Sequence, residues 1–485
     1  MKNGLFGIWI LTALVVGNMV GSGIFMLPSS LAQAASPAGV LLAWCVTGLG
    51  VLMLALVFGN LAIRRPELNG GPQAYARAIF RAGTRRSDFA GYMVAWGYWA
   101  ANWSGNVATI TTFASYLSTF FPVMASQAVL FQVGRFVVTV GGALTFLVCS
   151  ALLWVIHALI VRGIEGAGKV NLVATTAKVL GFVFFIVVCL FTFEKANLLP
   201  LVQPRTDASG APLSLLGQVN HAALSTLWAF VGVESAVVLS ARARKAKDIK
   251  VATILGLLIA LAIYVGITLL TMGALPQHVL METNKPLIDA LDRVIGSGGA
   301  YVMAGLGLIS LVGSTIGWIL LSAEVPYQAA KDGMFPKWFA KQNQRGTPTR
   351  ALTVTNVMSQ ILIFSTLSES MSGAFTFVIT LATLSYLLPY LVSTVYHVVM
   401  VVRGETYDTQ PRGRLADGII AVLASVYSVW VVKAGSSDWK TFLLGVAMLA
   451  VGMVFFPLVP RSRKESGEET RPISAEVGAS SSARP

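Results

Sequence analysis

GNMVGSGIFMLP, at residues 17–28, interrupts an apolar run long enough to span a bilayer, and this stretch decides the fold. Three glycines and a serine fall within seven positions, and each glycine weakens an α-helix by about 1 kcal/mol relative to alanine. Lipid offers no water to the backbone groups that such a break releases, so the break must face protein or a wet cavity. Its free N–H and C=O groups are then available to a ligand. The stretch therefore predicts a discontinuous membrane helix with a binding site at the break.

The composition is that of a membrane protein with many spans. The chain has 485 residues, of which 55% are hydrophobic and 12% charged, and its mean hydropathy is +0.72. Runs of about 18 or more apolar residues predict twelve helices and leave no large soluble domain. The predicted spans lie near residues 6–33, 37–63, 88–121, 133–161, 167–193, 216–240, 250–275, 298–331, 349–366, 372–400, 417–434 and 439–458.

The net charge of +14 follows this topology. With the N-terminus in the cytoplasm, 27 of the 35 Lys and Arg residues fall in inside segments and 7 in outside loops, and Lys178 lies within a span. This asymmetry obeys the positive-inside rule and predicts cytoplasmic N- and C-termini in a cell membrane, of the bacterial plasma-membrane type. The basic charge is therefore explained without a nucleic-acid partner.

No residue pattern predicts an enzyme, a cofactor or a metal. Cys45, Cys149 and Cys189 lie in apolar spans without paired spacing, and the four histidines share no ligand spacing. Catalytic triads and paired carboxylates do not appear within the spans. The first segment is expected to stay as a helix rather than to be cleaved as a signal peptide. Residues 461–485 are polar and rich in Ser, Glu and Arg, which predicts a disordered tail.

A second break is predicted in the sixth span, where WAFVGVES occupies residues 228–235 and places Gly232 at its centre. If five helices form one repeat, the first and sixth spans are equivalent. Paired interruptions at matching positions of two halves are typical of inverted-repeat transporters.

The two breaks together predict a clamp for an amino acid head group. Gly21, Ser22 and Gly23 open the second half of the first span, and the positive N-terminus of a half-helix suits a carboxylate. Carbonyls freed before each break would attract an ammonium group. These carbonyls belong to Met19 in the first span and to Trp228 or Val231 in the sixth.

Glu234 and Lys178 are ionisable residues that we place deep within predicted spans, where a charge costs at least a few kcal/mol. Glu234 either pairs with basic residues of the 242–250 loop or faces a cavity, where it would attract a cation or titrate during transport. Lys178 either snorkels to an interface or places its ammonium where a sodium-coupled relative binds a cation. The latter alternative predicts a sodium-independent carrier.

Polar residues recur along one face of the third span, and three tryptophans occupy the other face. The polar face either lines a cavity or joins helices by hydrogen bonds. In the eighth span, small residues over 310–317 predict close helix packing. Trp318 follows them and either caps a substrate side chain or simply packs. The polar face of the third span consists of Tyr98, Asn102, Gly105, Asn106 and Thr109.

These motifs resemble those of amino acid–polyamine–organocation transporters. GSGIFMLP at residues 21–28 matches the first-helix signature, and WAFVGVES at residues 228–235 matches that of the sixth helix. The stretch from Trp318 through AEVPYQAAKDGMFP at residues 323–336 is similar to the basic amino acid and polyamine antiporter branch, particularly arginine–ornithine antiporters. The likeness covers nearly the whole chain except the tail. Two shorter matches are GGPQAYA at residues 70–76 and TAK at residues 176–178.

The resemblance implies an all-α fold with twelve transmembrane helices that works by alternating access. Two inverted five-helix repeats would cover residues 6–193 and 216–400, and two extra helices would cover 417–458. Together they would form a transporter domain over residues 1–460.

The resemblance also implies a role for each candidate residue. The implied roles are carboxylate binding by Ser22 and Gly23, amine binding by the carbonyls of Met19, Trp228 and Val231, side-chain contact by Asn106 and Thr380, gating by Trp228, Trp318, Tyr98 and Glu234, and occupation of the former sodium site by Lys178.

The leading hypothesis is an exchanger of cationic amino acids, such as arginine or lysine against ornithine or a related amine. A proton-coupled permease for neutral or broad-range amino acids is the alternative, and it would depend on the pH gradient rather than on internal amino acid. A channel needs a continuous polar pore with charged rings, and a sensor needs a soluble output domain; the sequence offers neither. Predicted partners are amino acid substrates and the lipid bilayer, with a homodimer as a further option.

Overall fold

A computed structural model describes residues 7–68, 71–134, 136–163, 167–207, 210–238, 243–367, 371–408, 412–436 and 438–460. Within these ranges the chain is mostly helical. The disordered tail predicted for residues 461–485 lies outside the described residues.

The helices follow one another along the chain, with the longest connections between α5 and α6 and between α7 and α8. Their bounds are α1 Ile8–Met19, α2 Gly23–Ala34, α3 Pro37–Arg64, α4 Pro72–Ile79, α5 Arg85–Leu117, α6 Val140–Arg162, α7 Ala167–Phe191, α8 Leu215–Ala229, α9 Ser235–Val238, α10 Ala246–Ala274, α11 Gln277–Glu282, α12 Pro286–Ile295, α13 Ser297–Lys331, α14 Thr349–Ile363, α15 Met371–Arg403, α16 Arg414–Gly435 and α17 Trp439–Phe455. The sequence analysis does not predict the antiparallel hairpin of β1, Val129–Val133, and β2, Phe136–Thr139, which precedes α6.

In the described part of the chain, eight helices are long and apolar enough to cross a membrane, namely α3, α6, α7, α10, α13, α15, α16 and α17. The bent pair of α1 and α2 makes a ninth if it counts as one span. All nine fall on predicted spans, so the protein is a multi-pass helical membrane protein. The three other predicted spans contain α5, the pair of α8 and α9, and α14. These helices are not among the nine that are long and apolar enough to cross a membrane. Twelve spans and inverted repeats therefore stay predictions.

The position of α5 inside the molecule explains why this helix is less apolar than the nine spans above. This helix is rich in Trp, Asn, Ser and Thr, yet most residues from Gly91 to Tyr116 are buried. It packs along α13 and α15 and also contacts α4 and α14. A helix surrounded by protein needs no lipid-compatible face, so α5 can carry polar groups into the centre of the molecule.

Small residues let α13 approach α7 closely, as the stripe over 310–317 predicts. A Cβ built on Gly313 would lie 2.1 Å from the Cβ of Ala174 on α7. Even alanine is therefore too large at this position unless the helices separate, which is the reason that small residues line helix contacts in membranes.

A buried polar network joins α3, α10 and α16 at one end of the molecule. The carboxylate of Asp417 accepts hydrogen bonds from Arg64 Nε at 2.7 Å, Asn60 Nδ2 at 2.8 Å and the Tyr407 hydroxyl at 2.9 Å. Lys250 Nζ donates to the Oδ1 atom of Asn60 at 2.7 Å. Each of these donors meets an acceptor, so the network links the helix ends. Its two cations and one carboxylate give it a net positive charge.

Candidate ligand-binding site at the paired helix breaks

The first predicted break is confirmed. Helix α1 ends at Met19, α2 begins at Gly23, and the two helices bend by 49°. Between them, the N–H of Val20 still bonds to Val16 O at 2.8 Å, while Gly21 N–H turns back to Met19 O at 2.7 Å. In the first turn of α2 the Phe25 N–H bonds to Ser22 O at 3.1 Å. The N–H groups of Gly23 and Ile24 have no such backbone acceptor among the described residues, so they are available to an anion.

The second predicted break is confirmed as well, and it touches the first. Helix α8 ends at Ala229 and α9 begins at Ser235. Between them Gly232 has a φ angle of +103°, a conformation that L side chains rarely adopt. A Cβ on Gly232 would lie 3.2 Å from the Cβ of Asn18. The Asn18 amide also donates to Ser235 Oγ at 2.8 Å, so side-chain contacts bind the two breaks together.

Tyr264 on α10 bridges carbonyls from both breaks. Its buried hydroxyl lies 2.5 Å from Met19 O and 2.8 Å from Ala229 O. Met19 O also accepts the Gly21 N–H, so both of its lone pairs are engaged. Binding of a ligand ammonium at Met19, as predicted, therefore requires Tyr264 to release that carbonyl.

A narrow cavity lies between the two breaks and α5. Its volume is about 20 Å³, roughly what one water molecule needs, so an amino acid enters only when a wall moves. The lining includes seven predicted site residues, which the structure brings together. These are Met19, Gly21, Ser22, Gly23, Trp228, Val231 and Trp318; the others are Asn18, Asn102, Gly105, Thr109, Ala229 and Tyr386.

Two indole rings occupy most of the space beside the first break. A Cβ on Gly105 would lie 2.7 Å from Trp228 Cη2, and one on Gly23 would lie 3.3 Å from the same indole. The Nε1 atom of Trp318 would lie 3.6 Å from a Cβ on Gly21. Both rings are half-buried and stand over glycines, so they are the walls whose movement would enlarge the cavity.

Two α5 side chains give the cavity its polar character. Thr109 Oγ1 donates to Ser22 Oγ at 3.0 Å, which leaves the Ser22 hydroxyl proton for another acceptor. The Asn102 Nδ2 atom donates to Tyr98 O at 2.6 Å and thereby fixes the orientation of that amide. Asn102 Oδ1 is buried and has no partner among the described residues. The cavity therefore offers a hydroxyl donor near the first break and an unpaired acceptor on α5.

Two predicted contacts to a ligand side chain, Asn106 and Thr380, are not among the residues that line the cavity. Asn106 is fully buried, and its Oδ1 atom accepts from Ser322 Oγ on α13 at 3.2 Å. Thr380 is half-buried on α15 and donates to Thr376 O at 2.8 Å.

Glu234 lies directly behind the second break. Its Oε1 accepts the Tyr98 hydroxyl at 3.0 Å, while Oε2 accepts the Tyr390 hydroxyl at 2.7 Å and the Gly232 N–H at 3.2 Å. Among the described residues its partners are thus two tyrosines and a backbone group rather than the basic residues of the 242–250 loop. Tyr386 packs edge-on against Tyr98, with ring centroids 5.6 Å apart, and connects this cluster to the cavity.

Lys178 binds the first break from α7. Its Nζ atom donates to the carbonyl of Val20 at 2.8 Å. That carbonyl belongs to the segment between α1 and α2, where a helix would otherwise supply an N–H donor. The ammonium therefore stabilises the break itself and does not line the cavity.

Sequence reasoning missed three tyrosines of the site. Tyr264 bridges the breaks, and Tyr386 and Tyr390 stand one turn apart on α15 near Glu234. Tyr386 and Tyr390 are four residues apart and therefore lie on the same face of a helix. This spacing could have marked them as hydrogen-bond donors to a buried carboxylate such as Glu234. No local pattern marks Tyr264, because its two partners lie far away in sequence.

Discontinuous helices that meet at an enclosed cavity are the arrangement of secondary transporters. The chain matches the amino acid permease family over residues 6–461 and belongs to that family.

Curated relatives extend this result. The chain is 53% identical over 454 residues to a putative arginine/ornithine antiporter of Bacillus subtilis, covering 94% of this chain and 97% of the relative. It is 36% identical to the arginine/ornithine antiporter of Pseudomonas aeruginosa, with 92% and 89% covered. It is 31% identical to the arginine/agmatine antiporter of Chlamydia abortus, with 92% and 88% covered. The similarity thus spans nearly the whole length of each protein.

Gly232→Ala is expected to separate the two breaks. The positive φ and the crowding by Asn18 should destabilise the protein by about 2 kcal/mol, and amino acid uptake should fall with it. Thermal unfolding in detergent and labelled amino acid uptake into liposomes would measure the two effects.

The matched control for that variant is Gly17→Ala. Gly17 lies in α1 with open space around its Cβ position, so this change should leave uptake unaltered and should hold or slightly raise the unfolding temperature. Equal behaviour of the two variants would show that contact at Gly232 does not organise the site.

Proposed function

We propose that this protein is a secondary-active exchanger of cationic amino acids, moving arginine or lysine against ornithine or a related amine by alternating access. The observation that carries the proposal is the meeting of two broken helices at one small cavity that offers a few polar groups. Arginine/ornithine and arginine/agmatine antiporters among the relatives support the choice of substrates.

The head group of the substrate would bind to backbone and hydroxyl groups. Ser22 retains a hydroxyl proton because Thr109 donates to it, and the first turn of α2 adds N–H donors. Both would hold the α-carboxylate near Gly21 and Gly23. The carbonyls of Trp228 and Val231, and that of Met19 once Tyr264 leaves it, would hold the α-amine.

The cationic side chain would be recognised without a carboxylate. No acidic residue lines the cavity in the part of the chain that the structure describes. Asn102 Oδ1 is a buried acceptor without a partner, so a guanidinium or ammonium group would satisfy it. The indole of Trp318 adds a face for a cation–π contact. Asn106 and Thr380 would reach the side chain after Trp318 has moved, since Ser322 joins Asn106 to the Trp318 carbonyl.

The gates would be aromatic. Trp228 covers Gly23 and Gly105 and would close over the substrate from outside, and Trp318 would form a middle gate. Tyr98 and Glu234 would form the cytoplasmic-side gate. The hydrogen bonds of Glu234 to Tyr98 on α5 and to Tyr390 on α15 join three elements that must separate for release to that side.

We also propose a membrane topology for the whole chain. Twelve spans in two inverted five-helix repeats, over residues 6–193 and 216–400, and two further helices over 417–458 would form one transporter domain over residues 1–460. Both termini would face the cytoplasm of a bacterial cell, and the protein would work as a monomer or homodimer in the plasma membrane.

Uptake of labelled arginine into proteoliposomes tests the exchange. Vesicles loaded with ornithine, arginine or lysine should take up arginine rapidly, whereas vesicles loaded with leucine or buffer should not. Uptake that ignores the internal amino acid and follows an imposed pH gradient would instead establish the proton-coupled permease.

Asn102→Leu is expected to raise the KM for arginine about tenfold or more, because a hydrogen bond to a charged group contributes about 1.5–3 kcal/mol. Ser104→Ala is the control: this hydroxyl lies on the same helix and donates to Ala100 O. Ser104→Ala should leave the KM unchanged. An unaltered KM in Asn102→Leu would remove this amide from the side-chain site.

Transport is expected to be independent of sodium, because the Lys178 ammonium occupies the Val20 carbonyl. Replacing external sodium by choline should not alter exchange, and Lys178→Met should abolish it. Lys195→Met changes an exposed lysine between α7 and α8 and should have no effect. Sodium-dependent exchange in the unaltered protein would contradict this role of Lys178.

A further inference from the structure

An apolar groove runs along the outer surface where α15 ends and α16 begins. Its volume is about 670 Å³. Several wall residues are largely exposed, for example Leu415 at 79% and Ile419 at 52%. The apolar walls are formed by Val401, Val402, Leu415, Ile419, Val422 and Leu423, and Arg414 lines the same groove.

Arg414 is held at the end of this groove by its neighbours. Its Nε donates to Val401 O at 3.0 Å and its Nη2 to Val402 O at 3.1 Å, the last carbonyls of α15. The guanidinium is exposed, and no ion pair of the described residues includes it. A guanidinium carries five N–H donors, and the described carbonyls engage two of them, while the Arg414 Cζ atom lies 5.8 Å from the centre of the Tyr407 ring. The groove therefore combines apolar walls with an oriented, unneutralised cation.

The length of the groove along α16 matches the thickness of the hydrocarbon layer in one leaflet of a membrane. From Arg414 to Leu423, α16 advances by about 14 Å at 1.5 Å per residue. Half of a hydrocarbon core of about 30 Å is about 15 Å. With Arg414 at the membrane edge, the apolar walls extend over the depth that an acyl chain occupies.

We propose that this groove binds one anionic phospholipid, with an acyl chain along α16 and the phosphate on Arg414. A second copy of the chain fits the groove less well, because a symmetric contact would cover Arg414 of both copies, and none of the described residues that line the groove is acidic and could neutralise them.

The lipid would also stabilise the connection between α15 and α16. Arg414 lies one turn before Asp417, which accepts hydrogen bonds from α3. A phosphate on Arg414 would therefore neutralise a cation beside the network that joins α3, α10 and α16.

Native mass spectrometry of the full chain in a neutral detergent tests the proposal, with phosphatidylglycerol and phosphatidylcholine as probes. Phosphatidylglycerol should be retained in preference to phosphatidylcholine. Arg414→Gln should weaken its retention about fivefold, as expected for one basic residue near a membrane surface. Arg162→Gln, which alters an exposed arginine at the end of α6 outside the groove, should have no effect.

Two further variants separate binding from damage to the helix end. Arg414→Lys keeps the charge and should retain most of the phosphatidylglycerol. Ile419→Trp fills the groove without touching Arg414 and should release the lipid. Equal retention of the two lipids, or retention that neither Arg414→Gln nor Ile419→Trp alters, would overturn the proposal. So would a dimer that Ile419→Trp dissociates, because a second copy would then occupy the groove.

Discussion

The structure depends on one constraint, which is that backbone groups inside a membrane must find partners within the protein. Breaking α1 and α8 releases such groups near the centre of the molecule. The single proton of the Tyr264 hydroxyl is shared between carbonyls from both breaks, and the Lys178 ammonium donates to the carbonyl of Val20. Glu234 accepts the N–H of Gly232. Most of the surrounding architecture supplies these partners, and the groups left over are those that a ligand can bind.

Lys178 and Glu234 each satisfy a backbone group of complementary polarity at one of the breaks. Lys178 places a donor on a carbonyl, and Glu234 places an acceptor on an N–H, so each stabilises its own break. A zwitterionic head group would repeat this arrangement inside the cavity, with its carboxylate at the start of α2 and its amine near the end of α8. Lys178 and Glu234 thus satisfy some of the backbone groups that the two breaks release, and the proposed substrate would satisfy others.

The sequence was informative where the physical signal is local. The two glycine-containing breaks, nine of the twelve apolar spans and the close helix packing at Gly313 are recorded in neighbouring residues, and the structure confirms them. The partners of the breaks are long-range contacts, so Tyr264 and Tyr390 were missed. The hairpin before α6 was missed as well. Asn106 and Thr380 lie outside the lining of the cavity. For Asn106 the reason is that a polar face on a helix does not specify which turn of the helix meets the ligand.

The absence of a carboxylate from the lining described for the cavity has a consequence for exchange. A fixed carboxylate beside a buried guanidinium would form a strong pair whose separation costs several kcal/mol, and release would be slow. A neutral acceptor such as Asn102 and an indole face contribute less, about 1–3 kcal/mol each. Repeated turnover requires the substrate to leave on either side, so moderate binding by dipoles suits the carrier better. Under the proposed function, specificity for a cation would come from an acceptor that stays unpaired when a neutral side chain enters.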